Sequence, residues 1–422
     1  MSRIEELIAE LCPEGVEFKT LGELGSTYGG LTGKTKADFS NGNARFISYR
    51  NIFNNLAVNL EVDDFVKVDP KENQNFLATG DVLFTGSSET PDEVGMSSVV
   101  MDNPLGAIYL NSFCFGYRLH DNEQVLPDFS KYLFRSDAVR QQIVMSASGV
   151  TRFNISKKRF LKVCIPIPPV EIQKEIVKVL DTFTKLEAEL EAELEARRRQ
   201  YKYYRDALLS FDERTDADAS KQATVRWMSL GDIGKFTRGR RFTKDDYVLE
   251  GISCIHYGDI YTQYGTSAVK AVSHVRVELE TTLRFAQQGD VVIAAVGETV
   301  EDVGKSVAWL GEEEVAIHDD CFAFRHTMNP KFVSYCFQTG RFHAEKNKFV
   351  ARAKVKRLSG ENLAKLTIPV PSLEEQARIV AILDKFDTLV NDITTGLPAE
   401  IAARRQQYEH YRDKLLTFKE AA

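Results

Sequence analysis

The chain has no apolar run approaching the roughly 18 residues a membrane-spanning helix requires, and its start, Met1-Ser2-Arg3-Ile4-Glu5-Glu6, lacks the apolar segment of a secretory signal. A cytoplasmic protein is expected. Cysteines are few: Cys12, Cys114, Cys164, Cys254, Cys321 and Cys336 are scattered, without a Cys-x-x-Cys pair. That spacing excludes a disulfide framework and a structural zinc site. Cys114 and Cys321 lie in apolar runs and read as buried, reduced thiols. Cations are not in excess either, since 54 Lys and Arg stand against 61 Asp and Glu for a formal net charge of −7. That balance argues against a nucleic-acid binder unless its cations are clustered, because phosphate neutralisation needs clustered cations.

Catalytic signatures are also missing. The run Gly29-Gly30-Leu31-Thr32-Gly33-Lys34-Thr35 imitates a phosphate-binding loop, but Tyr28 stands where the first glycine belongs. The Asn-Pro pairs at 103 and 329 do not continue into the Pro-aromatic pair of an amino-methyltransferase. Neither Pro91 nor Pro127 opens a nuclease-like Pro-Asp followed by Asp/Glu-x-Lys, and no glycine-rich cofactor fingerprint precedes a helix. His318-Asp319-Asp320-Cys321 has a metal-like composition, yet it reads as a strand-edge turn, and no metal is expected. Whatever reaction this chain serves belongs to partners.

What is present is a repeat. Ile165-Pro166-Ile167-Pro168-Pro169-Val170-Glu171-Ile172-Gln173, running on to Leu186, returns as Ile368-Pro369-Val370-Pro371-Ser372-Leu373-Glu374-Glu375-Gln376, running on to Leu389, with 11 of 22 aligned positions identical. Tyr204-Arg205-Asp206-Ala207-Leu208-Leu209 returns as Tyr411-Arg412-Asp413-Lys414-Leu415-Leu416. Fainter echoes pair Gly80-Asp81-Val82 with Gly289-Asp290-Val291 and Cys114-Phe115-x-x-Arg118 with Cys321-Phe322-x-x-Arg325, all offset by 203 to 209 residues. One unit of half the chain was duplicated. Its frame agrees between copies while the interior differs, as expected of two heads with one fold and different specificities.

The period of the pattern gives the architecture. Short alternating runs (44–48, 80–85, 98–101, 107–109) and helical stretches (2–11, 128–146) predict an α+β head with a mixed, largely antiparallel sheet. Ile165-Pro166-Ile167-Pro168-Pro169 cannot be helical and reads as a stiff extended hinge. Beyond it, apolar residues alternate steps of three and four, the seam of a long coiled-coil helix. It contains the tandem Leu186-Glu187-Ala188-Glu189-Leu190-Glu191-Ala192-Glu193. The second seam carries one extra four-residue step, and Gly396-Leu397-Pro398 predicts a kink. The expected order is head 1–164, helix 165–211, polar linker 212–226, head 227–367 and helix 368–418.

On the paired Pro-x-Pro-x-x-Glu-x-Gln starts, the Tyr-Arg-Asp-x-Leu-Leu ends and the head-rod-head-rod order, the chain resembles, over nearly all its length, the specificity (S) subunit of type I restriction-modification systems. The resemblance implies two target recognition domains, each reading one half of a bipartite asymmetric DNA sequence, and two antiparallel rods that set the gap. It also implies methyltransferase (M) subunits, two of them, docked on the rods, with a restriction and translocation (R) subunit joining through M. Residues proposed to face partners are Gln173, Phe183, Leu186, Tyr204, Gln376, Phe386, Leu389 and Tyr411. S-adenosylmethionine, ATP and Mg are expected on the partner subunits and none on this chain.

Charge distribution agrees. Residues 131–162 hold eight Lys and Arg against one Asp, and residues 331–365 hold nine against two Glu. Basic stretches at equivalent repeat positions of an acidic chain fit phosphate contact. Candidate DNA-binding residues are Thr151, Arg152, Asn154 and Lys157 in the first head, with Arg352, Lys354, Lys356 and Arg357 in the second. A second pair of loops offers Lys34 and Lys36 against Arg238, Arg240 and Arg241, and a third offers Tyr49, Arg50 and Asn51 against His256 and Tyr257. For the third pair, strand-end packing is an equally weighted reading. The competing function is a non-catalytic scaffold whose rods hold protein partners.

Overall fold

Val82–Thr85 shows how the first head is built. Along this strand Val82 and Phe84 enter one apolar cluster and Leu83 enters another. A period of two with both faces buried is the signature of a central strand. The computed structural model describes residues 3–211, 225–351, 355–392 and 394–421. They fall into two units, residues 1–189 with 401–422, and residues 190–400. Residues 212–224 of the expected linker lie outside the described residues, as do Arg352 and Lys354.

In the first unit an antiparallel sheet orders Gly25–Gly29, Cys114–Leu119, Val82–Thr85 and Ser97–Val99. A second sheet orders Phe65–Val66, Ala44–Ile47 and Ile108–Leu110, the last two parallel. Phe84, Phe115 and Phe160 pack edge-on or stacked, with centroids 4.9 to 5.3 Å apart, at the centre of the larger cluster. The second unit repeats the plan with two five-stranded sheets. One orders Gly234–Arg238, Cys321–His326, Val291–Ala294, Ser306–Trp309 and Ser267–Ala268; the other is centred on Ile252–Ile255. The class is α+β, as the pattern predicts.

The repeated frame motifs turn out to be each other's partners. Arg118 forks onto the buried Asp81 with both contacts at 2.6 Å, and Arg325 forks onto Asp290 at 3.1 and 2.8 Å. Asp81 also accepts the Tyr28 hydroxyl at 2.6 Å and the Ala78 amide at 2.8 Å. Removing the cation strands a carboxylate whose side chain is 1% exposed. Because the arginine itself is half solvated, the cost is set at about 2–3 kcal/mol, below the range for a fully buried pair. Arg118→Ala should therefore lower the urea midpoint of the first unit's unfolding; an unmoved midpoint would refute the reading.

The expected hinge is a strand instead. Cys164–Ile167 pairs antiparallel with Glu17–Thr20, and Thr367–Val370 with Arg226–Ser229. In a two-stranded sheet each strand keeps an outward edge, where proline's missing N–H is tolerated. The stretch expected as one helix over 128–146 is two, Pro127–Leu133 and Asp137–Met145, with Ser136 extended between them.

Gln173 and Gln376 follow these strands and are buried. The Gln173 amide accepts from Leu126 N and donates to the carbonyls of Gln124 and Pro168 at 2.8 to 3.0 Å. Gln376 likewise accepts from Asn329 N and donates to Pro371 O. These amides tie helix to head, so the expectation that they face a partner does not hold.

The long helix runs unbroken over Val170–Ser210. Its first part belongs to one unit and its second to the other. In the first unit Phe183 stacks on Tyr411 at 5.4 Å and Glu187 pairs with Arg405, so numbers rise on one helix as they fall on the other. In the second unit Tyr204 stacks on Phe386 at 5.6 Å and Tyr201 bonds Asp387 at 3.3 Å. Both pairings are antiparallel. The second helix breaks at the expected place: Leu373–Asn391 ends and Leu397–Leu415 begins, with Asp392 accepting the amides of Thr394 and Thr395 between them.

The repeated Tyr-Arg-Asp ends also gain a role. Asp413 accepts the amide of Asp137, the first residue of a head helix, at 2.9 Å, and Asp206 does the same for Gly340 at 3.2 Å. A carboxylate there satisfies an orphan donor at the positive helix end. Each head is thus capped by the helix end of the other repeat copy.

Candidate nucleic-acid interface

In each unit one turn precedes the Cys-Phe-x-x-Arg strand. In the first it is Asn111–Phe113: Asn111 N bonds Ile47 O at 3.0 Å, and Gly86 N bonds Phe113 O at 2.8 Å. Arg152 lies over the exposed Phe113 ring, 5.1 Å from its centroid, with Nε donating to Ser87 Oγ at 2.8 Å. Lys157 sits 5.9 Å over the Phe115 ring, beside Gly29. The loop after the first sheet strand, the turn and the 149–157 segment therefore converge.

In the second unit the equivalent turn is His318–Asp320. Arg238 Nε donates to Asp319 O at 2.7 Å and Arg357 Nη1 lies 3.5 Å from Asp320 Oδ1. The His256 ring is 4.5 Å from His318 and 4.2 Å from Tyr257. Burial, then the neighbouring His318, holds the His256 imidazole below its ordinary pKa. His318 accepts the Asp320 amide at Nδ1, so Nε2 carries the proton toward Phe242 O, 3.2 Å away. Three side chains here offer ligand atoms within 4.8 Å. Both His318 ring nitrogens are engaged, and Asp319 and Asp320 face Arg238 and Arg357.

The structure thus brings together Arg152, Asn154 and Lys157 in one head and Arg238, His256, Tyr257, Lys356 and Arg357 in the other. Lys356 and Arg357 form a strand paired with Val296–Gly297. Thr151, Arg240 and Arg241 are exposed nearby in sequence. Others are placed differently. The Lys34 side chain is 6% exposed and bound to Glu72 at 2.6 Å, so it is not presented, although Lys36 is exposed. The Asn51 amide is consumed by Asn59 N and O, which removes it from base contact; Tyr49 packs on Phe53 and Arg50 is exposed.

Charge counting also overstated the surface. Arg135 donates to Ser97 O and to the carbonyls of Ile52, Phe53 and Asn55, closing a helix end, and Arg140 donates to Val94 O and Asp92 O. Lys131 and Lys331 bind Asp181 and Asp384 of the rods at 2.8 and 2.7 Å. Lys346 is buried under the carbonyls of Val300 and Val303, and burial lowers its pKa to about 8. What remains exposed in the first stretch is Arg152, Lys157, Lys158, Arg159 and Lys162. Sequence reasoning missed Ser87, Phe113, Asp319 and Asp320 as interface residues. Phe113, Asp319 and Asp320 share one signal, the turn immediately before the repeated Cys-Phe frame, whereas Ser87 lies in a separate short strand.

Of the proposed partner-facing residues, Leu186, Tyr204, Leu389 and Tyr411 are exposed large side chains, while Phe183 and Phe386 are half-buried in the stacks described.

A family model described as type I restriction modification DNA specificity domain matches residues 13–196 and again 224–403. The specificity subunit of the EcoR124I/EcoR124II type I restriction enzyme of Escherichia coli is 34% identical over 280 residues, 63% of this chain and 64% of that protein. A Haemophilus influenzae protein provisionally named a type I restriction enzyme specificity subunit is 31% identical over 294 residues, 64% of this chain and 68% of its own. The matched part therefore spans about two thirds of these relatives. A chain from a solved structure concerned with assembly and conformational transition of the type I R-M system superposes with a TM-score of 0.61 at 19% identity, covering 96% of this chain and 98% of that one. The fold is shared with it.

Proposed function

The chain belongs to the type I restriction modification DNA specificity family, and from that membership we propose that it is the address-reading subunit of a DNA methyltransferase and endonuclease complex. Each head reads one half of a bipartite, asymmetric duplex target. The paired helices fix the spacing between halves and dock two methyltransferase subunits, through which restriction subunits join. The chain itself is non-catalytic, and S-adenosylmethionine, ATP and Mg act on the partner subunits, in the cytoplasm. No described helix is long and apolar enough to cross a membrane.

The observation that supports this most is that both heads set arginines on the same turn with different surroundings, Ser87 and Phe113 in one and Asp319 and Asp320 in the other. A shared frame with unlike donors and acceptors is what two unlike half-sites demand.

With its methyltransferase partner, the chain should bind a bipartite duplex with log affinity falling against log salt at about −0.9 per phosphate contacted. The exposed Lys157, Lys158, Arg159 and Lys162 alone correspond to a slope of roughly −3.5 or steeper. A flat salt response would instead favour a protein scaffold.

A further inference from the structure

A two-stranded ribbon is one of the few elements that fits a DNA major groove. In the first unit Ala147–Ser148 and Phe153–Ile155 form such a ribbon, anchored because Phe153 and Asn154 pair onward with Ser88 and Ser87. The chain reverses at Gly149, whose φ is +137°, and a Cβ there would run into the Arg152 carbonyl. Glycine is required to hold that turn. At the tip Val150 is 91% exposed. An apolar side chain so far from any core suits contact with a thymine methyl group.

Beside it, Arg152 is unusually constrained for an exposed cation. Its Nε is committed to Ser87 Oγ at 2.8 Å and its plane is held over Phe113. The two Nη groups, with four N–H donors between them, have no hydrogen-bond partner among the described residues. Fixing one edge against a hydroxyl and one face against a ring removes the rotamer freedom a phosphate contact does not need removed. It leaves an end-on fork, the geometry that pairs with O6 and N7 of guanine. Resting on the proposal that the heads read DNA, we propose that the 149–154 tip is a base-reading element of the first head, that Arg152 reads a guanine, and that Ser87 and Phe113 are positioning residues for it. The second head differs at this place: Asn154 aligns with Arg357, which faces Asp320 instead of a hydroxyl and a ring.

The test uses the full chain with its methyltransferase partner and a library of random-sequence duplexes, from which bound duplexes are recovered and sequenced. The wild type is expected to select a bipartite motif with a fixed G·C pair in one half-site. Arg152→Ala should reduce discrimination at that one pair by about 5- to 150-fold, leaving the other half-site unchanged as the control for folding. Phe113→Leu and Ser87→Ala should weaken the same position partially, without altering the salt slope, and Arg152→Lys should not restore it. Should Arg152→Ala lower binding to every duplex alike and flatten the salt slope by about one phosphate, Arg152 is a phosphate contact and the assignment falls. It falls equally if the selected motif is untouched. A wild-type chain that selects no motif overturns the DNA-reading proposal, and this assignment with it.

Discussion

Deleting Leu190-Glu191-Ala192-Glu193 should change the preferred gap between the two half-sites while leaving the half-sites themselves intact. The tandem reads Leu-Glu-Ala-Glu twice, followed by Leu194-Glu195-Ala196. Removing one copy brings Leu194 into the place of Leu190 and keeps the spacing among the later seam residues, and helix propensity is unaffected because the same residue types remain. What changes is length: four residues shorten the helix by roughly 6 Å, comparable to one or two base-pair steps of about 3.4 Å. On the original duplex one head would then meet wrong base pairs. At roughly 1–3 kcal/mol for each mismatched pair, affinity for the old target should fall by at least about 100-fold. Selection from duplexes of graded spacer length checks this. Retention of the original spacing would end the proposal that the helices act as the ruler.

The second large effect is acid sensitivity confined to one unit. His326 and His343 lie in residues 190–400, and burial is the main reason that both imidazoles titrate near pH 4, lowered to about 4 from the ordinary 6.5. His326 accepts the Met328 amide and packs against Phe324, with Asp290 pulling weakly the other way. His343 faces Lys346 and Arg205, which reinforce the shift, and Asp206 and Glu301, which oppose it. Between pH 6.5 and 4 the unfolded chain binds protons that the folded unit refuses. Stability that is complete above about pH 6.5 is thus lost as pH falls toward 4. At pH 5 this amounts to on the order of 2 kcal/mol for His326 and less for His343, which solvent partly screens, or a fall in Tm of roughly 5–10 °C for a unit of this size. The first unit holds only exposed His120 and His410. Calorimetry at pH 7 and pH 5 should show the second unit's transition moving away from the first's, and His326→Gln with His343→Gln should reduce the separation. Two transitions moving together would contradict it.

Much of this architecture could be read from the residues, and the part that could not has a common cause. Periodicity carries the long helix, the break before Leu397 and most strands, because these depend on neighbours one to four residues away. The duplication carries the frame. It does not reveal that Gly-Asp-Val and Cys-Phe-x-x-Arg hold each other, since Asp81 and Arg118 meet only once Val82–Thr85 pairs with Cys114–Leu119. Ile165-Pro166-Ile167-Pro168 reads as a stiff extended hinge rather than a paired strand because its strand partner lies near Glu17, far back in the chain. At the interface, a charge count cannot distinguish Arg152, which reaches solvent, from Arg135, which closes the end of a distant helix. Asn51 failed similarly: its acceptor and donor are both spent on Asn59.

The shared construction of each unit has a consequence for biosynthesis. Leu416 enters the same apolar cluster as Ile172, Ile176 and Leu180, with Leu415 and Phe418 against it, and Val16 N bonds Lys419 O. The amino-terminal head therefore waits for residues 401–422 to leave the ribosome. At about 5–20 residues per second, the stretch from Leu190 to Glu400 takes on the order of 10–40 s to translate. Throughout that interval the apolar face of the nascent helix is uncovered, a ready substrate for chaperones and a hazard wherever many copies are translated side by side.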